Sequence, residues 1–444
     1  MRVAHIGNVA NIAYLNVKFL RRLDIDAHLY YYDFDLCLAQ PEWEEATMKG
    51  ECEVLDQDWR NKMAIQTYHK QDWTHSISMV PNRRILQVRI PMADCSHPGL
   101  RGILGKWENR ANRLLSIGKQ YGVVTRALRK RGVDINLSPF DIMRYFDINR
   151  FREIAQSCDI VQAYGIEPIA CLADFPRRPF IAYEFGTMRD IPFEDSVRGK
   201  LLTAAYQQAE RVVITNPDVI AAANRLGVNN WVFIPHPVDE GKYTPGSSTI
   251  RRTLELKYGS DIKVIFAPAR HDWSVKGNDR MIRGVARVMR EERVPIVLVL
   301  TKWGEDVEKS RELILSEGIE DKVIWSPLLS KLKMIDYYRG SDVVMDQFVL
   351  GTFGLTTAEA MACGKPVVVY FKPALHEPCF PVMPPVVAAL TEQEIGEQTS
   401  ALVNNLAWRL AQGEKSRQWV CQHHGWEIVA RKHIQLYREI LLTQ

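Results

Sequence analysis

A chain of 444 residues is too long for one hydrophobic core, since single cores usually stop growing near about 250–300 residues, so two or more domains are expected. Hydrophobic residues make up 46% and charged residues 25% of the sequence, the balance of a globular protein, and no apolar run approaches the ~20 residues that a membrane span needs. The net charge of +4 is too small to predict a nucleic-acid partner, whereas an anionic small-molecule substrate stays open because it needs only a local basic site.

The cysteine pattern and the N-terminal residues both favour a cytoplasmic protein. The eight cysteines are scattered without a CxxC pair, so neither a zinc cluster nor a dense disulfide framework is predicted, and reduced thiols are the simplest account. The first residues do not resemble a signal peptide, because three asparagines and Lys18 interrupt their apolar run and no cleavage site follows.

An alternation of strand and helix patterns begins at the N-terminus and predicts a parallel α/β domain over residues 1–236. A short apolar β run at Val3–Ile6 is followed by apolar residues at three- and four-residue intervals from Ile12 to Leu23, the spacing of an amphipathic helix. Further strands are predicted at Ala27–Tyr32, Ile160–Ala163, Phe180–Tyr183, Val212–Thr215 and Val232–Ile234, with helices at about 196–209 and 217–226. Residues 34–100 show no pattern that places their elements.

Residues 101–131 form a strongly basic stretch that is predicted to be helical. They contain nine Lys and Arg residues against one acid, Glu108, together with an apolar set that includes Trp107. Each Lys or Arg near an anionic lipid surface is worth about 1 kcal/mol, so this stretch could bring the protein to the inner face of a membrane. The alternative is a helix that packs on its own domain with its cations in water.

A second domain is predicted over residues 237–420, after a linker at 236–262 in which HPVDEGKYTPGSS brings Pro and Gly together. Its strands are predicted at Val264–Ala267, Ile296–Leu300, Val323–Trp325, Val343–Met345 and Val367–Tyr370, with helices at about 278–291, 305–317, 331–339 and 356–363. Residues 391–444 are predicted to be helical, the last helix lying around His424–Leu442. Two doubly wound domains leave a cleft beyond the carboxyl ends of their strands, where ligands bind.

The most informative stretch is GTFGLTTAEAMACGKPVVV at residues 351–369. A Gly- and Thr-rich turn leads directly into a helix, so backbone N–H groups and the helix dipole could bind the phosphates of a nucleotide. Glu359 lies one turn inside, where its carboxylate could bind ribose hydroxyls. The alternative is a capping box, in which Glu359 folds back onto the amide at the start of the helix.

Two cations in another loop favour the nucleotide interpretation. After the first strand of the second domain the chain reads APARHDWSVKGNDRMI, which places Arg270 and Lys276 in a loop that faces the cleft. A planar guanidinium and a compact ammonium suit a diphosphate, and together they would stabilise charge on a departing phosphate. The alternative is a pair of solvated loop cations.

With these motifs in place, the second domain resembles that of the retaining GT-B glycosyltransferases of family four (glycosyl transferases group 1). Members typically carry an Arg and a Lys-Gly after the domain's first strand, matched here by Arg270 and Lys276-Gly277. They also carry a Gly-Phe-Gly-Leu-like loop ending in Glu-Ala-Met-Ala-x-Gly-x-Pro-Val, matched by Phe353-Gly354-Leu355 and Glu359–Val367. A Pro-x-Asp step is matched by Pro237-Val238-Asp239 in His236-Pro237-Val238-Asp239. The resemblance is good over about 210–370 and looser in the first domain.

The resemblance implies a GT-B fold of two Rossmann-like domains, with residues 421–444 crossing back onto the first. It implies a nucleotide-diphosphate sugar of UDP or GDP type as the donor, transfer with retention, and no metal or other cofactor. The acceptor would be a hydroxyl of a glycan, of a lipid-linked molecule or of a small molecule, with polysaccharide biosynthesis as one setting. Arg270 and Lys276 are the predicted catalytic residues. The predicted donor-binding residues are Gly351, Phe353, Gly354, Leu355, Thr356 and Glu359.

In the first domain, two loops are expected on the acceptor side of the cleft. GNVAN, which is not a GxGxxG dinucleotide fingerprint, supplies Asn8 and Asn11 for sugar hydroxyls or phosphate, unless Asn11 caps the following helix. The loop YEFGTMRDIPF is expected to bind the acceptor or the transferred sugar, unless its Glu184 and Arg189 simply pair with each other. Its candidate residues are Glu184, Gly186, Thr187 and Arg189.

Two positions depart from the family pattern. The first Glu of the family's double-glutamate motif, which commonly contacts the donor sugar, is replaced by Gly351, for which Asp346 or Gln347 could compensate. A His that many members carry in the first domain's cleft loop is replaced by Phe185. These departures keep two further interpretations open: a GT-B sugar-nucleotide 2-epimerase, which needs no acceptor, and a non-catalytic subunit that binds a nucleotide sugar.

Overall fold

Two parallel β-sheets, one in each half of the chain, form the framework of the protein. The computed structural model describes residues 1–32, 37–52, 58–77, 118, 120–146, 148–173 and 178–443. The strands are β1 (Arg2–Ile6), β2 (Asp26–Tyr32), β3 (Thr47–Met48), β4 (Ile65–Thr67), β5 (Thr74–Ile77), β6 (Ile160–Tyr164), β7 (Phe180–Glu184), β8 (Arg211–Ile214), β9 (Trp231–Phe233), β10 (Lys263–Ala267), β11 (Ile296–Thr301), β12 (Val323–Ser326), β13 (Val343–Met345), β14 (Val367–Val369) and β15 (Val387–Ala388).

The helices lie between the strands and after the last of them. They are α1 (Ile12–Arg22), α2 (Pro41–Glu45), α3 (Trp59–Lys62), α4 (120–130), α5 (Pro139–Tyr145), α6 (Ile148–Gln156), α7 (Pro168–Cys171), α8 (Val197–Gln208), α9 (Ile220–Arg225), α10 (Thr249–Tyr258), α11 (Trp273–Lys276), α12 (Asn278–Glu291), α13 (Val307–Ser316), α14 (Lys331–Gly340), α15 (Leu355–Ala362), α16 (Pro373–His376), α17 (Glu392–Asn404), α18 (Leu406–His423) and α19 (Trp426–Leu442).

The first sheet has seven parallel strands in the order β5-β2-β1-β6-β7-β8-β9. Its β1 is an inner strand, with Val3 opposite Ala27 of β2 on one side and Ile160 of β6 on the other. Strands β6 and β7 are buried along their whole length, because helices cover both faces, as is usual for a parallel sheet. This is the doubly wound arrangement that the strand and helix patterns predict.

The second sheet has six parallel strands in the order β12-β11-β10-β13-β14-β15. Its longest amphipathic helix buries one apolar stripe. In this helix, α12, Met281, Val285 and Met289 face the core at four-residue intervals, while Arg287 and Arg290 lie at the surface. The predicted architecture of two doubly wound domains is therefore confirmed.

The last two helices connect the domains. Helix α18 packs on α15 of the second domain, whereas α19 packs on α1 of the first. Ile434 and Tyr437 of α19 share an apolar core with Val3 and Phe19, and the Tyr437 hydroxyl donates a hydrogen bond to Gln162 of β6 at 2.8 Å. The core of the first domain thus contains residues from both ends of the chain.

A segment of the first domain, residues 37–68, reaches across to the second. It contains α2, α3 and the short antiparallel pair β3–β4. Trp43, Trp59 and Met63 form a buried cluster with Leu328, which follows β12 of the second domain, and α2 lies against α14. The two domains therefore touch at one side of the cleft as well as through the chain that joins them.

The structure differs from the predicted linker. Residues 249–258 of that region form α10, whose N-cap Ser248 accepts a hydrogen bond from the N–H of Arg251 at 3.0 Å. Leu254 of α10 is buried but Leu256 is exposed, so the apolar pattern is too sparse to predict a helix. Strand β15 is only two residues long and has no predicted counterpart either.

Other predictions fall partly outside the described residues. Of the basic stretch 101–131, residues 120–130 are helical, while residues 101–117 and 119 lie outside the described residues. The cysteines that the structure describes are free thiols; Cys95 lies outside them. In the described ranges, no helix combines the length and the apolar character that crossing a bilayer requires.

Candidate functional site

The loop between β13 and α15 is held rigidly and leaves the helix N-terminus uncapped. The Gln347 side-chain oxygen accepts hydrogen bonds from the N–H groups of Val349 and Leu350, at 2.9 and 2.7 Å. The Gln347 amide nitrogen donates to the main-chain oxygens of Thr352 and Tyr370. Because this side chain braces the loop, it is committed to a structural role and does not replace the family's first Glu at a sugar.

The N-cap of α15 is Gly354, and no side chain caps the helix. A Cβ placed on Gly354 would meet no atom within 4 Å, so open space lies in front of the first helical turn. Leu355 and Thr356 of that turn are partly exposed, whereas Thr357 is buried and donates to Asp346 at 2.7 Å. The uncapped N–H groups and the open space form a suitable anion site.

Glu359 does not form the alternative capping box. It lies in the second half of α15 with 2% of its surface exposed. One of its oxygens accepts a hydrogen bond from the Lys331 ammonium at 2.5 Å, and the other accepts from the Tyr338 hydroxyl at 3.1 Å. The capping interpretation is therefore wrong, because the carboxylate points into the protein beside α14 instead of back along its own helix.

Of the two predicted cations, Arg270 lies in the loop after β10, whereas Lys276 is the last residue of the short helix α11 and not part of a loop. The segment that contains them touches the loop before α15. The Phe348 N–H donates to the main-chain oxygen of Lys276 at 2.8 Å, and a Cβ on Gly277 would lie 3.2 Å from side-chain atoms of Phe348 and Val349. Gly277 has a φ of +67°, so glycine suits this position both by conformation and by space. The Lys-Gly step thus holds the two segments together.

The side chains of the two cations differ in their contacts. Arg270 is 46% exposed and pairs with Asp272 at 2.9 Å, so it is partly neutralised by its own loop. Lys276 is partly buried, and within the part of the chain that the structure describes its ammonium has no ion pair. Of the two, Lys276 carries the charge that is available to a ligand.

Phe353 and Gly351 support the loop from behind. Phe353 is buried and stacks on His376, with ring centroids 5.5 Å apart, and its edge meets Trp419. Gly351 has a φ of +73°, and a Cβ there would lie 3.0 Å from the aliphatic part of Lys372. A glutamate at position 351 would therefore be strained, which explains physically why the family's first Glu is absent from this backbone.

The loop after β7 is organised around Glu184. One oxygen of this buried carboxylate accepts hydrogen bonds from the N–H groups of Gly186 (2.5 Å) and Met188 (2.8 Å) and from the Thr187 hydroxyl (3.3 Å). Its other oxygen has no hydrogen-bond partner among the described residues. Burial raises the pKa of Glu184, and the two N–H groups partly oppose that rise.

Arg189 forms a different pair from the one considered as an alternative. Its guanidinium binds Asp218 with two hydrogen bonds, at 2.6 and 3.0 Å, so the suggested pairing of Glu184 with Arg189 is wrong. The Thr187 hydroxyl also lies 2.7 Å from the Tyr206 hydroxyl. These contacts fix the 184–189 loop, and among the described residues the second oxygen of Glu184 keeps free hydrogen-bonding capacity.

Asn8 and Asn11 are both buried and bind the protein itself. Asn8 donates to the Asn11 side chain (2.8 Å) and to the main-chain oxygen of Ala39 (2.6 Å), and Asn11 donates to that of Gln40 (2.9 Å). Asn11 occupies the N-cap position of α1 with a φ of +58°, yet its side chain makes no capping bond. Both asparagines therefore anchor the segment that leads into α2.

The two domains enclose a small pocket next to the tip of α15. Thr215, Pro217 and Phe233 line it from the first domain. Its other wall is formed by His236, Phe353, Gly354, Ala358, Phe380 and His424. Burial lowers the pKa of His236 to about 4 and that of His424 to about 3, so both rings are neutral at pH 7. The loops of the two domains thus meet at the α15 tip, as the predicted cleft requires.

Sequence reasoning missed Lys331, which pairs with Glu359, and Glu44, which pairs with Lys242. Lys331 follows Ser330 at the start of α14, and Glu44 lies in α2 of the other domain. In the sequence, Lys331 looks like any solvated lysine at a helix start, and Glu44 lies among the acids of residues 34–100. Their partners are distant in the sequence, so no local pattern could have identified them.

The sequence of the second domain matches a known family. Residues 255–377 match the model of Glycosyl transferases group 1. Mannosylfructose-phosphate synthase of Agrobacterium fabrum is 29% identical over 188 residues, which cover 40% of this chain and 40% of that protein. A D-inositol 3-phosphate glycosyltransferase of Acidothermus cellulolyticus is 28% identical over 184 residues, covering 36% and 40%. The match therefore spans less than half the length of these relatives.

Solved structures share the whole fold. HepE from Anabaena, in complex with UDP and glucose, has a TM-score of 0.63 at 14% identity, covering 99% of this chain and 100% of that one. Sucrose-phosphate synthase from Thermosynechococcus elongatus has a TM-score of 0.62 at 14% identity, with both chains covered completely. The chain has the GT-B fold, and residues 255–377 of its second domain match the glycosyl transferases group 1 model.

Proposed function

We propose that this protein is a retaining glycosyltransferase, which moves a sugar from a nucleotide-diphosphate sugar to an acceptor hydroxyl. The observation that carries the proposal is the uncapped tip of α15, with open space before Gly354, in contact with the segment that contains Lys276. Uncapped N–H groups and an unpaired ammonium are complementary to a diphosphate. The family match over residues 255–377 supports the same activity.

The donor would bind mainly to the second domain. Its diphosphate would lie at the α15 tip, between the N–H groups of Gly354 to Thr356 and the cations Arg270 and Lys276. Its ribose would meet Glu359, one turn further along the helix. The base is of UDP or GDP type in this proposal, and the transferred sugar would point towards the first domain and the free oxygen of Glu184.

In the proposed reaction the acceptor oxygen forms a bond to the anomeric carbon on the face that the diphosphate leaves. The bond from that carbon to the phosphate oxygen breaks, and its electron pair stays on the phosphate. The leaving phosphate oxygen takes the proton of the acceptor hydroxyl, so no protein nucleophile is required. The protein contributes positioning and stabilises the charge that develops on the leaving group, through Lys276, Arg270 and the helix N-terminus.

The acceptor is a hydroxyl of a glycan, of a lipid-linked molecule or of a small molecule. The names of the two relatives refer to phosphorylated small molecules, D-inositol 3-phosphate and mannosylfructose phosphate. This supports phosphorylated small molecules as a class of acceptor for this protein. We place the activity in the cytoplasm. Peripheral membrane contact through residues 101–131 remains a prediction, because most of that stretch lies outside the described residues.

Calorimetric binding of UDP, GDP and ADP, followed by incubation with the corresponding sugar nucleotides, tests this proposal. We expect one diphosphate to bind in the micromolar range, and its sugar to appear on an added acceptor with the anomeric configuration of the donor. Conversion of the sugar nucleotide without any acceptor would identify an epimerase instead. Binding without transfer to sugar phosphates, glycans or lipid extracts would favour a non-catalytic subunit, and absence of binding would refute the donor site.

A further inference from the structure

Four charged side chains from both domains meet next to the predicted ribose site. Lys331 binds Glu359 at 2.5 Å, and Lys242 binds Glu44 at 2.9 Å. Lys242 also donates to the main-chain oxygen of Glu44 at 2.7 Å. We call Glu44, Lys242, Lys331 and Glu359 the interdomain charge cluster.

The cluster spans the domain boundary. Glu44 belongs to α2 of the first domain, Lys242 to the chain that joins the domains, and Lys331 and Glu359 to α14 and α15 of the second. Burial alone would raise the pKa of Glu44, but Lys242 and, next in effect, Lys331 hold that pKa below its usual value. The electrostatic influence of Lys331 therefore reaches the first domain as well as Glu359.

The cluster is buried and balanced in charge. Side-chain exposure is 1% for Glu44 and 2% for Glu359, and 14% and 17% for Lys242 and Lys331. Two carboxylates face two ammonium groups, so the net charge is zero while α2 is docked. Removing one member, or moving α2 away, would leave a buried charge without its partner, which is strongly unfavourable.

Two buried oxygens in this region indicate a ligand that offers hydroxyl groups. Oε2 of Glu44 and Oγ of Ser330, the residue before Lys331, have no hydrogen-bond partner among the described residues. Buried polar atoms are nearly always hydrogen-bonded. A carboxylate oxygen accepts hydrogen bonds from hydroxyl groups, and a serine hydroxyl donates or accepts one, so both atoms have the chemistry to bind hydroxyl groups.

We propose that Glu44 and Lys331 are positioning residues for the donor: Lys331 holds the Glu359 carboxylate by direct contact, and Glu44, paired with Lys242, brings the balancing negative charge of the first domain to this site, so that the ribose is recognised only while α2 is docked on the second domain. This inference rests on the proposed function, in which Glu359 binds the ribose. It assigns the first domain a part in donor binding through α2, in addition to its expected part in acceptor binding.

Ribose discrimination provides the test, because a merely structural defect would weaken all nucleotides alike. UDP, GDP and ADP are each paired with the 2′-deoxy analogue, and dissociation constants are measured by calorimetry on the full chain. For the diphosphate that binds, we expect the wild type to prefer the ribose form by about tenfold or more, the usual strength of a hydrogen bond to a charged group. In Lys331→Met and in Glu44→Gln that ratio should fall towards one, while affinity for the deoxy form changes little.

Two further variants complete the design. Lys331→Arg keeps the charge and should restore most of the preference for ribose. Glu42→Gln is the matched control, because Glu42 also lies in α2 but pairs with Arg60 of the first domain at 3.1 Å. We expect Glu42→Gln to discriminate like the wild type. Thermal melting confirms that each variant is folded, and if Lys331→Met does not fold, Glu44→Gln and Lys331→Arg carry the test.

The outcomes separate this inference from the proposed function. If the wild type binds none of the three diphosphates, the proposed function fails and the inference with it. If the wild type binds one of them and prefers ribose, but Lys331→Met and Glu44→Gln keep the same preference, the inference is overturned and the donor site stands. Equal loss of discrimination in Glu42→Gln would also overturn it, since the effect would then not be specific to the cluster.

Discussion

Replacing Lys276 with alanine should abolish most of the turnover and leave the fold intact. In the part of the chain that the structure describes, the Lys276 ammonium has no ion pair, and the contacts that hold its segment come from main-chain atoms: the Phe348 N–H donates to its carbonyl oxygen at 2.8 Å. Truncating the side chain therefore removes no folding contact beyond partial burial of its methylene groups, and we expect stability to change by about 0.5 kcal/mol or less.

The loss of rate follows from the charge that develops on the leaving diphosphate. At a separation of about 4 Å and an effective dielectric constant of about 20, an ammonium and one negative charge attract by about 4 kcal/mol. Removing a single preorganised donor to a developing anion costs about 10²–10³ in kcat in other enzymes, or about 2.7–4 kcal/mol. Both arguments predict a 100- to 1,000-fold fall in kcat for Lys276→Ala.

The assay measures transfer of radiolabelled sugar under saturating donor, with thermal melting of the same preparation. Lys263→Ala is the matched control, because Lys263 lies at the opposite end of β10 from the Arg270–Lys276 segment. Among the described residues its ammonium donates to the main-chain oxygen of Asp261 and forms no ion pair. A kcat for Lys276→Ala within threefold of the wild type would refute the proposed role of this ammonium. A comparable loss in Lys263→Ala would show that the effect arises from general perturbation of the domain.

Three further predictions concern stability. Gly351→Glu should lower the free energy of unfolding by about 1–3 kcal/mol, because the glutamate would need a φ of +73° and would clash with Lys372. Urea titration measures this change, and an unchanged or higher stability would contradict the prediction. Asp218→Asn should weaken the bidentate pair with Arg189 and cost about 1–3 kcal/mol, and an unchanged urea midpoint would show that the pair contributes nothing. Burial lowers the pKa of His433 to about 3, so the unfolded state binds the proton first as the pH falls below about 6.5. The free energy of unfolding should therefore drop between pH 7 and pH 5, and His433→Phe should remove about 2 kcal/mol of that drop. The same drop in the variant would contradict the assignment.

Most strands of the two parallel sheets and many of the helices could be predicted because their patterns are local. In β11 the run Ile296–Thr301 is buried throughout, and a continuous apolar run of this length is typical of a parallel strand with both faces covered. In α12 the apolar stripe gave both ends of the helix correctly. Helix α10 was not predicted, because Leu254 is its one buried residue and the helix therefore has no apolar stripe.

The site could be predicted only in part, because hydrogen-bond partners are chosen by tertiary structure. The motif at residues 351–369 correctly indicated a helix that begins beside a glycine turn. The sequence did not predict that Glu359 binds Lys331, 28 positions earlier. Nor did it predict that Arg189 binds Asp218, 29 positions later. In both cases the sequence offered a nearer partner, three or five residues away, and the fold placed a more distant group within reach.

The position of α19 has a consequence for how the protein is made. Because Ile434 and Tyr437 complete the apolar core around β1, the N-terminal domain cannot finish folding until α19 has left the ribosome. The second domain, whose strands are contiguous in the chain from Lys263 to Ala388, is synthesised completely before then. We therefore expect the second domain to reach its native state before the N-terminal domain, although the N-terminal domain is synthesised first.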